Sequence, residues 1–151
     1  MCGTTRTPRA GARCYNPRMR WLLVLALSCS GPAHDDPALI ADFHQVERQC
    51  LQTYNDAFRR QGAGQIDELA LAQVIERDVL PPWQAFHARV ERAPDSELVK
   101  AMRRYFADRE TAWQAYVVVL HGDDAQALAT YRQKNADATA DAQALAKLLP
   151  R

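Results

Sequence analysis

The gaps in this chain of 151 residues narrow its identity before any motif does. No uncharged run approaches the roughly twenty residues that a membrane-spanning helix needs. No segment alternates apolar and polar residues with a period of two, so strands have no signal. There are only six glycines, with neither a phosphate-cradling glycine loop nor a Gly-x-Ser-x-Gly nucleophile elbow. Haem attachment would need Cys-x-x-Cys-His, which is missing. Di-iron bundles use Glu with His three residues later, and no Glu here has one.

A surplus of charge is missing too. The net charge is +1, from 19 basic and 18 acidic residues. Five of the arginines fall within the first twenty residues, which hold no acid. From Cys29 onward 14 basic residues face 18 acidic ones, a net charge of −4. That acidity, with no basic stripe interleaved with aromatics, argues against a nucleic-acid partner. Residues 1–18 carry Arg6, Arg9, Arg13 and Arg18 among Gly, Pro and Thr. Such a segment cannot bury a core, so it reads as a disordered basic leader, or as sequence upstream of a true start at Met19.

What is present begins at Met19. Arg18 and Arg20 flank a short apolar run, Trp21–Leu27, which ends in Ser28-Cys29. The run is too short to span a bilayer and fits the core of a secretory signal of about 7–15 residues. The stretch Ala26-Leu27-Ser28-Cys29 resembles the lipobox of bacterial lipoproteins. That resemblance implies cleavage before Cys29 and acylation of Cys29, so 19–28 would be the signal peptide and 29–36 a lipidated tether. It also implies attachment to a membrane of the bacterial envelope. Ser30, where an aspartate would retain the protein at the inner membrane, points to the outer membrane, facing the periplasm or the surface. Cys2 and Cys14 belong to the leader. Cys50 is then the one thiol left, and no intramolecular disulfide is expected.

The remainder, 37–151, reads as helix throughout. Asp36-Pro37 suits a helix start, because Asp can cap free N–H groups and Pro fits the first turn. Leu39, Phe43, Val46, Cys50, Tyr54 and Ala57 then recur at steps of three and four, with Gly62 the expected cap. The second helix places Leu71, Ile75, Val79, Trp83, Phe86 and Val90 on one face. Pro81 and Pro82 interrupt it, predicting a kink near Asp78–Leu80. The third carries Val99, Met102, Phe106, Trp113, Tyr116, Val117 and Leu120, with Arg109 on the seam. Asp123 and Gln126 read as a capping box for the fourth. That helix repeats at Leu128, Tyr131, Asn135, Ala138, Ala142, Leu145 and Leu149. Four helices, each roughly 37 Å long, joined by short turns, make the expected fold all-α. The expected architecture is an up-down-up-down antiparallel four-helix bundle with a Pro-kinked second helix.

No catalytic constellation emerges, and the domain reads as a non-enzymatic binding or interaction module for a protein, a peptide or a small apolar ligand. Trp83 beside the kink, with Trp113 and Tyr116, is the candidate groove, since Trp and Tyr favour interfaces. The same residues at helical spacing also fit a packed core. Arg109 and Asn135 are polar residues on apolar seams, a placement that can fix helix register. No metal ligand set or cofactor is assigned. The alternative is a metal- or cofactor-binding bundle built on His44 and His87 with Glu47 and Glu91, which have the spacing to share their helix faces.

Overall fold

A computed structural model describes residues 36–122 and 124–149. Among them the chain forms four helices and no strand, so the all-α reading holds. Helix α1 spans Pro37–Gly62, α2 covers 68–91, α3 spans Glu97–His121 and α4 spans Ala125–Leu148. The leader 1–18, the apolar stretch 19–28 and Cys29 lie outside the described residues.

Each helix starts on a side chain that satisfies its free N–H groups. Asp36 accepts from Ala38 N at 2.9 Å, with Pro37 in the first turn. Asp67 accepts from Ala70 N at 2.7 Å. The Ser96 hydroxyl accepts from Val99 N at 3.0 Å. Asp124 accepts from Gln126 N and Ala127 N, both at 2.9 Å. The fourth cap is therefore Asp124 rather than Asp123, which lies outside the described residues. At the end of α1 the expected cap also moves. Gly62 is still helical, and Gly64 is the residue with left-handed backbone, at φ 69°. Gly64 N donates to Gln61 O at 2.9 Å and Gln65 N to Arg60 O at 2.9 Å. This is a Schellman closure, which needs its glycine where φ turns positive.

The prolines of α2 are absorbed by a change of helical pitch. An α segment, Glu68–Val74, passes into a π-turn, Ile75–Val79, and then into a second α segment, Leu80–Glu91. Leu80 N–H bonds to Ile75 O, five residues back. Pro81 and Pro82 have no N–H to give, and their rings crowd the carbonyls four residues behind them. Widening the turn relieves that crowding, and both prolines then sit in the first turn of a new α segment, where no donor is needed. The irregularity lies at 75–79, just upstream of most of the expected site. Cys50 Sγ reaches across from α1 to donate to Val79 O at 3.6 Å, tying α1 to this turn.

The core is aromatic. Trp83, Tyr105, Phe106, Trp113 and Phe43 are all essentially inaccessible to solvent. Trp83 packs on Phe106 at 4.2 Å between ring centroids and edge-on to Trp113 at 4.8 Å. Its indole N–H donates to Phe106 O at 3.1 Å. Neighbours in sequence are neighbours in space: α1 packs on α2, α2 on α3 and α3 on α4. Arg103 of α3 holds the C-terminal end of α2. It donates to Val90 O (3.3 Å), Glu91 O (3.3 Å) and Ala93 O (2.7 Å), and pairs with Asp95 (2.6 Å). One guanidinium thus gathers the carbonyls at and just beyond the helix end.

Helices that are not sequence neighbours keep their backbones further apart. No Cα of α1 comes within 8 Å of a Cα in α4. Only Ala138 and Leu145 of α4 are fully buried, and its backbone packs on α3 alone.

Candidate functional site

One face of α3 carries Tyr105, Arg109, Trp113 and Tyr116. Steps of three and four put these residues along one helical face. Arg109 is at the centre. Its Nη1 donates to Asn135 Oδ1 of α4 at 2.6 Å. Its Nε is buried and has no hydrogen-bond partner. The guanidinium carbon lies 5.9 Å from the Tyr105 ring centre and 5.9 Å from that of Trp113, so two aromatic faces cradle the cation. Among the described residues no carboxylate comes within ion-pair distance of it.

Tyrosines lie nearby. Tyr105 donates its hydroxyl to Glu47 Oε1 of α1 at 2.8 Å. Tyr54 of α1 packs on Trp113 at 5.7 Å and stacks on Phe58 at 5.9 Å. Tyr116 stacks on Tyr131 of α4 at 4.6 Å and 21°. Burial pushes the phenols of Tyr54 and Tyr105 well above their usual range. Tyr131 adds to the shift at Tyr54 and Glu47 to that at Tyr105, while Arg109 opposes both. Burial likewise raises Tyr116, helped by Tyr131. The backbones of α1 and α4 stay apart, and Tyr131 is near enough to Tyr54 to influence its phenol.

A second polar group joins α2 to α3. His87 Nδ1 lies 2.9 Å from Glu110 Oε2, and its Nε2 lies 3.4 Å from Glu91 Oε1. Gln84 and Gln114 both donate to Glu110 Oε1, at 3.0 and 3.1 Å. Glu91, the partner that spacing suggests, is present but more distant. The nearer one, Glu110, comes from another helix and leaves no mark in local sequence. His44 is exposed on α1, with its ring beside Phe43. Among the described residues no three His, Cys, Asp or Glu side chains are placed to share a metal ion.

The three groove residues part company. Trp83 and Trp113 are 0 % and 1 % exposed and touch each other inside the core, so neither offers a free ring face to a groove. The π-turn explains this. It lets α2 continue past the prolines with Trp83 still on the buried face. Tyr116, half-buried, lies beside Tyr131. Cys50 is fully enclosed, and burial pushes its thiol up to about 11, so it stays protonated at ordinary pH. Shallow hollows complete the surface. One of about 190 Å³ at the α3–α4 turn is lined by Val119, Asp124, Ala125 and Leu128.

Sequence periodicity found Arg109, Asn135, Tyr54, Tyr116 and Tyr131 one at a time, each as a seam position. Their convergence was not in it. The available signal was a cation on α3 and an amide on α4 at otherwise apolar seam positions. No family model, no curated protein and no solved structure matches this chain.

Proposed function

We propose that this protein is a lipid-anchored lipoprotein of the bacterial envelope whose helical domain binds a partner and performs no chemistry of its own. The observation that carries the address is the run Met19–Cys29, a basic start, a short apolar core and Ser28 before Cys29. Among the described residues no helix is long and apolar enough to cross a membrane. In this reading the acyl chains on Cys29 supply the attachment. Several chains on one residue hold far better than a single chain would.

Two observations favour binding over catalysis. The Cys50 thiol is buried and stays protonated at ordinary pH, and Tyr105 with Glu47 and Arg109 with Asn135 are bonded to each other. The helices are proposed to run up-down-up-down. Short connections and the chain-order packing of neighbours support this. A bend of α2 at the π-turn is proposed with it, because such turns are among the few causes of sharp helix kinks. The binding face is placed beside the stacked Tyr116 and Tyr131, and its occupant is a protein, a peptide or a small apolar ligand.

Cys29→Ser tests the anchor. The variant should leave the membrane fraction and become soluble, and its signal processing should no longer depend on the lipoprotein peptidase. Unchanged fractionation would overturn the lipoprotein assignment.

A further inference from the structure

Helix α4 is the element least anchored in the core. Ala138 and Leu145 are its fully buried residues, and the first carries only a methyl group. Leu128, Tyr131 and Leu149 stay partly exposed. Small side chains let its backbone lie close to α3 while little apolar area leaves water. The aromatic core is complete without it. Phe43, Trp83, Phe86, Tyr105, Phe106 and Trp113 come from α1, α2 and α3 and pack on one another.

The other links to α4 are polar or lie near the surface. Asn135 accepts from Arg109, Lys134 pairs with Asp108 at 2.8 Å, Arg104 pairs with Asp141 at 3.7 Å, and Tyr131 stacks on Tyr116. Ion pairs open to water on one side contribute little. Closure also carries costs. Arg109 Nε is buried with no acceptor among the described residues, so its hydration is lost without replacement. Burial and the neighbouring Asp108 push the Asp141 carboxyl up, while Arg104 opposes them. A raised carboxyl is one whose charge the closed arrangement disfavours. At the end of α3, Gly122 is extended, and among the described residues no atom stands within 4 Å of where its Cβ would be. Nothing there blocks a swing.

From this arrangement we propose that α4 is a lid, which leaves α3 as a unit about Gly122 while α1, α2 and α3 keep their core. Opening uncovers Tyr116 and the Arg109 guanidinium, which Tyr131 and Asn135 hold in the closed state. The proposal goes beyond the binding-module reading and depends neither on it nor on the lipid anchor.

Native-state hydrogen exchange on the full chain tests it, followed by NMR at rising, sub-denaturing urea. A detached helix loses its tertiary support and frays, so its amides exchange. The amides of α4 should exchange together, about tenfold or more faster than the slowest amides of α1 and α2 after correction for intrinsic rates, and with a weaker urea dependence. Cys50 is fully buried in α1 and bonded to Val79 O, inside the part that stays folded when the lid opens. Cys50→Ala should therefore speed exchange at the slowest amides of α1 and α2 several-fold and leave α4 unchanged. Ile75→Val, in the same buried region, serves if the alanine variant does not fold. Asn135→Ala acts on the closed lid itself and should speed α4 exchange several-fold. Exchange of α4 at the global rate would overturn the proposal, as would α4 amides that follow Cys50→Ala as closely as α1 and α2 do. Fast exchange confined to the last turn of α4, or α4 amides indifferent to Asn135→Ala, would overturn it too. None of these results bears on the fractionation of Cys29→Ser, so the anchor and the lid fail separately.

Discussion

Arg109 and Asn135 lie 26 positions apart, on different helices, and meet at 2.6 Å. Each alone is a polar intruder on an apolar seam. Together they form a cross-helix bond that favours one register of α4 against α3, because sliding α4 by one turn of about 5.4 Å would separate them. α4 needs such a device. It has few buried side chains and a run of small alanines, which pack well in more than one register.

Asn135→Ala should therefore cost about 1–3 kcal/mol, since it leaves a half-buried donor without its partner. Arg109→Met, which removes the donor and keeps an apolar stem, should cost less. The double variant should fall short of the sum by about 0.5–3 kcal/mol, as for groups in direct contact. Urea unfolding of the four chains measures this. Strict additivity would mean the bond contributes nothing.

The prolines give a second prediction. An interior proline costs roughly 3 kcal/mol against a good helix former. Pro81 and Pro82 occupy a first turn after the π-turn, so much of that cost is already avoided. Pro81→Ala with Pro82→Ala should raise the melting temperature by a few degrees, less than two interior prolines would suggest. A clear fall would show that the prolines enforce the π-turn and that α2 loses its phase without them.

Alkaline pH gives a third. The Cys50 thiol moves from 9.0 to about 11 on folding, and the Tyr54 and Tyr105 phenols also move up. An acid with a raised folded-state value holds its proton more tightly in the native protein. Its contribution is intact below the unfolded value and is lost as pH rises through the folded one. These groups should therefore leave stability unchanged up to about pH 9 and lower it towards pH 11. Cys50→Ala should lessen the first part of the decline. Thermal melts across this range, with phenolate absorbance recorded alongside, test the sign. Rising stability above pH 9 would contradict it.

Arg103 provides a fourth. It bonds three carbonyls at the end of α2 and holds the Asp95 carboxyl below its usual range. Arg103→Ala should destabilise by about 1–3 kcal/mol, in line with bonds made by charged donors. Hydrogen exchange should speed up at the last turn of α2 before it does elsewhere. Arg103→Lys should recover only part of the loss, because an ammonium cannot reach four acceptors spread over a planar fork.

The helical class, the near-complete set of turns and the seam residues were legible in the sequence. Periodicity of apolar residues is a local property, and caps such as Asp36 act on N–H groups two or three residues away. Where several candidates stood close together, as with Gly62 and Gly64 or Asp123 and Asp124, backbone dihedrals and hydrogen bonds made the choice. Tertiary structure alone decided the rest. It set His87 against Glu110 and Arg109 against Asn135, enclosed Trp83 and Trp113 in the core, and kept the backbones of α1 and α4 apart. Those outcomes depend on how whole helices settle against one another. A side chain's position along its own helix fixes the face it occupies, but which side chain it meets there is fixed by the packing of the neighbouring helix.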